Sequence, residues 1–193
     1  MEKQEFTVCD VINATKKLNG IYLVYEDGSF MPFSEECKKE GIAYIGIIHD
    51  GHPFCVALKD LGEFELVKNW RKCPGESDLY VRSECEALND WDFIKRTKHI
   101  QEVGTDIPLK DGEYIPSLPV LNAMCYWRKR GLNDALVFAG GEPLKDDFYW
   151  SSTEYTQYIA WNMHFGSGYI YFNFKYNSYV ARAVAAFNLE RSE

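Results

Sequence analysis

The sequence predicts an α+β fold in which strands at both ends of the chain enclose two amphipathic helices. Asp-Gly pairs between apolar runs predict tight hairpins near the amino terminus. Apolar residues then recur at helical spacing between Ser83 and Trp127, and strand-like segments predominate from Tyr149 onward. Because strands and helices occupy separate runs of the chain, the α+β class is favoured, with residues 1–193 in a single domain.

Two β-hairpins are predicted in the first part of the chain. Ile21–Phe33 turns at Asp27-Gly28, and Pro32 indicates that the second strand is an edge strand or ends early. Ile42–Leu58 turns at Asp50-Gly51. The second hairpin is expected to bury one face, because apolar residues alternate with period two at Phe54, Val56 and Leu58.

The first amphipathic helix is predicted to begin at Ser83. Residues Ser83 to Glu86 match a capping box, in which a Ser hydroxyl and a Glu carboxylate bond to the backbone of the first turn. The apolar face of this helix is expected to comprise Ala87, Leu88, Trp91 and Ile94.

The second helix is predicted to follow Ser117, which is expected to cap it, with Pro119 near its first turn. Both helices are amphipathic, and both are therefore expected to pack on antiparallel sheets. Gly140-Gly141 and Pro143 then predict an irregular loop. The apolar stripe of the second helix comprises Leu118, Leu121 and Cys125.

The last part of the chain is predicted to form strands. Ala160–Phe165 and Tyr169–Lys175 are expected to pair as a hairpin around Gly166-Ser167-Gly168, where both glycines would adopt positive backbone angles. Tyr179–Phe187 is expected to form one last strand.

Charge and composition argue against two classes of partner. The net charge of -8 and the pI near 5.1 disfavour nucleic acid, since phosphate binding depends on clustered Lys and Arg. No apolar run approaches the roughly 18 residues of a membrane span. The amino terminus lacks the continuous apolar region of a secretory signal. Synthesis in the cytoplasm is therefore expected, with the final localisation open and association with a virion one alternative.

No cofactor or metal site is predicted. The six cysteines, Cys9, Cys37, Cys55, Cys73, Cys85 and Cys125, occur without CxxC pairs, so free and mostly buried thiols are expected. His49 and His52 flank Asp50-Gly51, where a polar turn explains them better than a metal site does.

An aromatic run near the carboxyl terminus is the strongest functional signal. Tyr169–Tyr179 contains six aromatic rings in eleven residues, and Lys175 is the only formal charge between Tyr155 and Val180. Tyr together with Ser, Gly and Asn is the composition that antibody loops use for contact. Tyr171 to Phe174 cannot all face inward, because side chains alternate along a strand. A binding surface is therefore favoured over the alternative, a buried strand pair rich in Tyr and Phe.

A set of motifs occupies the second half of the chain: Ile115–Leu118, Gly140–Leu144, the frame Tyr149–Tyr155, Ala160-Trp161, Gly168, Lys175, Ser178 and Arg182–Phe187. Together they resemble the variable proteins that retroelements diversify in gut bacteria and their phages. The resemblance is strong from residue 114 to residue 187, and Val56–Glu63 extends it more weakly. Ala181 departs from the family, which usually has Val at that position.

The resemblance implies a C-type-lectin-like fold of the formylglycine-generating-enzyme type. Residues 1–18 would lead into this single domain, and residues 156–179 would form its variable region. Calcium binding by Glu142, Asp146 and Asp147 is not expected, because the EPN and QPD tripeptides of calcium-dependent lectins are absent and retroelement-type members generally do without calcium.

The family's diversification rule can be compared with these residues. A reverse transcriptase randomises template adenines, so variable positions in the family carry NNC codons. Gln157, Met163 and Lys175 cannot be products of such codons and are expected to be fixed. The resemblance implies that the variable, ligand-binding residues are Thr156, Tyr158, Ile159, Asn162, His164, Tyr169, Tyr171, Phe172, Asn173, Phe174, Tyr176, Asn177 and Tyr179.

Fixed residues are expected to hold the backbone around these variable positions. Trp150 and Trp161 are predicted to be buried anchors. Glu154 and Arg182 are charges in a charge-poor region and are predicted to pair with each other. The scaffold set comprises Trp150, Glu154, Trp161, Gly168, Lys175 and Arg182.

Ligand binding through residues 156–179 is the predicted function, with a surface protein or glycan as the partner. Catalysis is not expected, because the oxidase on the same fold needs a reactive cysteine pair in its carboxy-terminal part and no Cys follows Cys125. The chain also lacks a GxSxG nucleophile elbow. The alternative is a structural subunit of a phage tail or cell envelope, whose aromatic residues make the contacts of a homo-oligomer.

Overall fold

The computed structural model of the protein describes residues 18–189, which form a mixed α/β protein with two β-sheets. The strands are β1 (Gly20–Tyr25), β2 (Phe30–Pro32), β3 (Ile42–His49), β4 (His52–Ala57), β5 (Gly62–Glu65), β6 (Glu113–Tyr114), β7 (Phe148–Glu154), β8 (Ile159–His164), β9 (Tyr169–Phe174), β10 (Ser178–Ala181) and β11 (Val184–Ala186). The helices are α1 (Glu84–Ala87), α2 (Phe93–Val103), α3 (Leu118–Trp127) and α4 (Asn133–Phe138).

The two sheets differ in strand order. The first sheet runs β2-β1-β3-β4-β11-β6, and the second runs β5-β10-β7-β8-β9. All pairs are antiparallel except β10 with β7, so the second sheet is mixed. Few helices beside two largely antiparallel sheets are compatible with the predicted α+β class.

Both predicted amino-terminal hairpins are present. β1 pairs with β2, and β3 pairs with β4 through a turn in which Asp50 and Gly51 have φ angles of 48° and 83°. Two consecutive positive φ angles define the mirror-image turn that matches strand twist, and an Asp-Gly pair is suited to it. Phe54 and Val56 are buried in the core as predicted, with Leu58 packed partly against them.

A large apolar core joins the helices to both sheets. Ile45 and Ile47 of the first sheet, Leu121 and Met124 of α3, and Tyr149 of the second sheet all belong to this core. The helices therefore lie on apolar faces of the sheets, and α3 packs against β7 and β8. The contacts of α3 therefore hold β7 and β8 of the second sheet in place.

The predicted first helix is interrupted. The prediction that Ala87, Leu88, Trp91 and Ile94 form one apolar helix face is therefore wrong. Ser83 does cap α1, since its hydroxyl accepts a hydrogen bond from the Glu86 N–H at 3.4 Å. The helix ends after Ala87, and α2 begins with a second cap, the Asp92 carboxylate, which accepts from the Lys95 N–H at 3.0 Å. The new cap explains the break, because a side chain that satisfies N-terminal N–H groups marks a separate helix start.

The second predicted helix is present as α3, but Ser117 does not cap it through its side chain. The Thr153 hydroxyl accepts from the Leu118 N–H at 3.1 Å, and the Ser152 N–H donates to the Pro116 carbonyl at 2.8 Å. The polar residues of the Tyr149–Tyr155 frame thereby attach β7 to the start of α3.

The predicted last strand is two strands in different sheets. β10 pairs with β5 and β7, whereas β11 pairs with β4 and β6. The crossing occurs at Arg182-Ala183, where the Ala57 N–H donates to the Ala183 carbonyl at 3.0 Å. The apolar pattern runs through this point and therefore predicts one continuous strand. Such a pattern holds no information about which sheet each half of the segment joins.

Candidate functional site

Most rings of the aromatic run are exposed to solvent. Tyr169, Tyr171, Phe172, Phe174 and Tyr176 are 66%, 40%, 53%, 46% and 46% exposed, and Tyr179 is half-buried. The rings belong to β9, β10 and the turn between them. β9 is one of the two edge strands of the second sheet, and side chains on both of its sides reach solvent.

One side of the second sheet carries a row of rings that we call the aromatic face, defined by Phe148, His164, Tyr169, Tyr171 and Tyr179. The strand register places Phe148 opposite His164 and His164 opposite Tyr169. The Phe148 ring lies 4.7 Å from His164, 5.3 Å from Tyr171 and 5.1 Å from Tyr179, measured between ring centroids. These are the distances of favourable aromatic pairs, so the rings hold one another in place.

Phe172 lies on the other side of β9, within a second aromatic group. It stacks on Tyr155 with centroids 4.8 Å apart and an interplanar angle of 9°, and its edge meets Trp161 at 5.6 Å. Trp161 is buried and donates to the Val81 carbonyl at 2.8 Å. The buried Trp161 ring thus supports the exposed Phe172 ring.

A third group lies where β8 begins and β9 ends. Phe174 and Tyr176 stack with centroids 5.1 Å apart, and Tyr158 meets the edge of Trp70 at 5.0 Å. Phe148, Tyr155 and Trp70 were not among the predicted binding residues. No signal in the sequence marked Phe148 as a contact residue, because period-two alternation places it on the same side of β7 as Trp150, which was predicted to be buried.

Asn162 is the clear exception among the predicted contact residues, and the prediction is wrong for it. Its side chain is fully buried, and its amide oxygen accepts from the Asn173 Nδ2 at 3.2 Å. The strand register places it between Trp150 of β7 and Tyr171 of β9, whose larger side chains share its side of the sheet. Half-buried positions within the predicted set are Thr156, Ile159, His164, Asn173, Asn177 and Tyr179.

The three residues expected to be fixed by codon type all make contacts with the interior. Met163 is buried in the main core. The Gln157 Nε2 donates to the Cys73 carbonyl at 2.8 Å. Lys175 is fully buried, and its ammonium group donates to Glu154 and lies 3.7 Å from the Cys73 sulfur. Each of these side chains therefore attaches the backbone of the predicted variable region to the interior of the protein.

Glu154 and Arg182 are both buried, but their predicted pairing is wrong. Glu154 pairs with Lys175 and lies 3.3 Å from the His99 Nε2. Arg182 pairs with Asp60 at 2.6 Å and donates to the carbonyl groups of Ala57 and Glu142 at 2.9 Å and 3.1 Å. Arg182 therefore fixes the point where the chain crosses between sheets, which lies apart from Glu154.

Tyr149 contacts Asp60, the residue that also pairs with Arg182, and these three side chains form a cluster. The Tyr149 hydroxyl donates to Asp60 at 3.3 Å and accepts from the Lys145 N–H at 2.9 Å. Burial, followed by the nearby Asp60 charge, raises the pKa of Tyr149, so the phenol stays protonated. The cluster joins β7 to the loop before it.

The remaining scaffold residues act through packing and backbone geometry. Trp150 is buried and donates to the Phe64 carbonyl at 2.7 Å. Gly168 has a φ of 74°, as predicted. Gly166 has no positive φ, which corrects the prediction for it. A Cβ at Gly166 would lie 2.9 Å from the His164 ring and 3.2 Å from Asp146, so the requirement there is for space.

Residues 18–189 bring together no three His, Cys, Asp or Glu side chains in a geometry that could hold a metal ion. Asp146, from the acidic loop, instead pairs with Arg128. The cysteines of this part of the chain, Cys37, Cys55, Cys73, Cys85 and Cys125, are free thiols, and Cys9 lies outside the described residues. Over the same residues, no helix has the length and apolar character needed to cross a membrane.

Comparison with known proteins gives a similarity of fold alone. No family model matches the chain, and no curated protein matches it. A crystal structure described as a fimbrial protein from Bacteroides ovatus is similar, with a TM-score of 0.54 and 15% sequence identity. The match covers 86% of this chain and 48% of the fimbrial protein, so this chain corresponds to about half of that protein's length.

Proposed function

We propose that this protein binds a macromolecule on a cell or phage surface through its exposed aromatic residues. We further propose that it is a retroelement-diversified variable protein with a C-type-lectin-like fold, with which the two sheets and few helices are compatible. The observation that carries the proposal is the exposure of Tyr169, Tyr171, Phe172, Phe174 and Tyr176 on one strand and the turn that follows it. Clustered exposed rings of this kind mark interaction sites.

The separation between exposed and buried positions supports diversification. A surface tolerates many sequences only where side chains point into solvent from a backbone that other residues hold. Tyr169 and Tyr176 meet that condition, whereas Met163 and Lys175, which NNC codons cannot encode, are buried. Because Asn162 is buried, we leave it out of the proposed variable set and keep the other positions.

The rings would bind by shape and by displacement of water. Tyr and Phe present large apolar areas with few rotatable bonds, so little conformational entropy is lost when a partner covers them. The contacts of Phe148 with Tyr171 and Tyr179 restrict these rings before binding. His164 and Asn173 lie beside them and would supply polar contacts. A few such rings could each contribute about 2 kcal/mol to affinity.

Binding of the labelled chain to intact bacterial cells, followed by flow cytometry, tests the proposal. The test variant replaces Tyr169, Tyr171 and Tyr176 with Ser. The matched control replaces three exposed side chains elsewhere, Met31, Tyr126 and Val137, with Ser. We expect the test variant to lose at least about tenfold in apparent affinity and the control to bind as the natural chain does. Equal binding by both variants would refute a role for the aromatic residues.

A structural subunit is the second candidate, because β9 is an exposed edge and the similar crystal structure is described as a fimbrial protein. In that case the rings would be covered by neighbouring subunits rather than by a foreign ligand. Light scattering separates the two candidates: a monomer with open rings favours ligand binding, and an obligate oligomer that buries them favours assembly.

A further inference from the structure

Four strands form the edges of the two sheets, and three of them carry features that discourage pairing with another chain. β2 is three residues long and ends in Pro32, and β6 is two residues long. β5 is four residues long and carries Glu63 and Glu65. Short length, proline and charge are the devices by which proteins protect edge strands.

β9 lacks all of these devices. It is six residues long, reads Tyr-Ile-Tyr-Phe-Asn-Phe, and contains no proline and no charge. The Lys175 N–H donates to the Tyr158 carbonyl across the β8–β9 pair at 2.9 Å. Because backbone direction alternates along a strand, the backbone groups of Ile170 and Phe172 and the Phe174 N–H point away from β8. Within residues 18–189, no backbone group pairs with them.

We infer that β9 pairs antiparallel with β9 of a second copy of this chain, centred on Phe172. The sequence around this residue is self-complementary. Ile170 would lie opposite Phe174 of the partner copy, Phe172 opposite its own counterpart, and Tyr171 opposite Asn173. Apolar residues thus meet apolar residues on one side of the sheet, and polar residues meet polar residues on the other.

This edge is free of the charge repulsion that two copies of the chain have elsewhere. The chain carries a net charge of -8, so two copies repel each other over most of their surfaces. No formal charge lies between Tyr169 and Phe174, and the Lys175 charge is buried against Glu154. Reciprocal backbone hydrogen bonds would form, and Phe172 and Phe174, which are 53% and 46% exposed, would lose contact with water.

The pairing would assign Phe172 and Phe174 to the dimer contact and leave the aromatic face and Tyr176 open for the proposed ligand. The two-fold axis of an antiparallel strand pair is perpendicular to the sheet, so the same side of both copies faces the same direction. Tyr171 of each copy would then flank the axis, giving one continuous surface with two sets of rings. A six-residue edge buries less than the roughly 1,600 Å² of a standard interface, so a weak dimer is expected.

Sedimentation of the full chain between about 1 μM and about 1 mM tests the inference. We expect a monomer–dimer equilibrium for the natural chain. Phe172→Pro removes the outward N–H and should abolish the dimer, while Phe172→Ala retains that N–H and should shift the midpoint by about tenfold. Phe172→Lys places like charges opposite each other at the axis and should also give a monomer, with circular dichroism reporting that each variant folds.

Amide hydrogen exchange measured by NMR on the natural chain provides a readout that needs no variant. We expect exchange at Ile170, Phe172 and Phe174 to slow as chain concentration rises. A monomer at about 1 mM, equal effects of Phe172→Pro and Phe172→Ala, or protection independent of concentration would each overturn the inference. The inference does not require residues 156–179 to vary: a monomer that still binds cells would refute it and leave the proposed function standing.

Discussion

Lys175 and Glu154 form an ion pair in which both side chains are buried, at the end of β9 and of β7 respectively. The pair lies at the boundary between two sets of residues. Lys175 is held in the interior, while the rings of Phe174 and Tyr176, its neighbours in the chain, are exposed to solvent. Such a boundary is required of any surface that varies without loss of the fold.

Removal of one partner of this pair should destabilise the protein strongly. We expect Lys175→Met to lower the free energy of unfolding by about 3–5 kcal/mol, because the Glu154 carboxylate would remain buried without its partner. Urea denaturation measures this change. The double variant with Glu154→Leu should recover much of the loss, since it leaves no unpaired charge. A loss below about 1 kcal/mol for Lys175→Met would show that the pair is not structurally important.

Exposed and buried positions within residues 156–179 should differ in their tolerance of substitution. We expect Tyr169→Ser to change the free energy of unfolding by no more than about 0.5 kcal/mol, because that ring is largely in solvent. Asn162→Tyr should cost about 1–3 kcal/mol or more, because β8 leaves no room for a ring. Thermal unfolding of both variants checks the contrast. Equal tolerance at the two positions would contradict the assignment of Asn162 to the interior.

Phe148 should contribute to the proposed binding of cells. It lies outside residues 156–179, yet its ring contacts His164, Tyr171 and Tyr179. We expect Phe148→Ala to weaken binding to cells by about thirtyfold, or about 2 kcal/mol. Tyr126→Ala, at an exposed ring on α3, is the control and should leave binding unchanged. An unaltered affinity in Phe148→Ala would restrict the proposed binding site to residues 156–179.

The thiols should differ in reactivity according to their burial. Burial raises the pKa of the Cys55 thiol to about 12, and burial raises the pKa of the Cys73 thiol as well. The thiolate is the reactive form, so both residues should resist alkylation at mildly alkaline pH. Cys85 is exposed and should react rapidly. Mass spectrometry after iodoacetamide treatment measures the order, and the same reaction in urea is the control. Fast labelling of Cys55 in the folded protein would contradict its burial.

Local signals in the sequence predicted the hairpins and α3 correctly. An Asp-Gly pair specifies its turn through backbone angles that few other residues adopt, so the β3–β4 hairpin depends on two adjacent residues. Alternation along the strand also predicted that Tyr171 to Phe174 cannot all face inward, and Tyr171, Phe172 and Phe174 are exposed. These features need no knowledge of distant parts of the chain.

Features that depend on tertiary contacts could not be predicted in this way. The pairing of Glu154 with Lys175 rather than Arg182 is decided by which strands lie together, and β10 and β11 belong to different sheets. Capping of α3 by Thr153 joins residues far apart in the sequence. Phe148 was missed because the frame residues around it suggested a purely structural role.

Sequencing the coding region and its flanking DNA across many copies from the source population tests the central claim most directly. We expect variation at the codons of exposed residues such as Tyr169, Tyr171 and Phe174, each ending in C, and constant codons for Gln157, Met163 and Lys175. We also expect a near-identical template repeat beside a reverse transcriptase. Uniform sequences without such a repeat, or equal variation at the buried Met163 and Lys175, would contradict that claim.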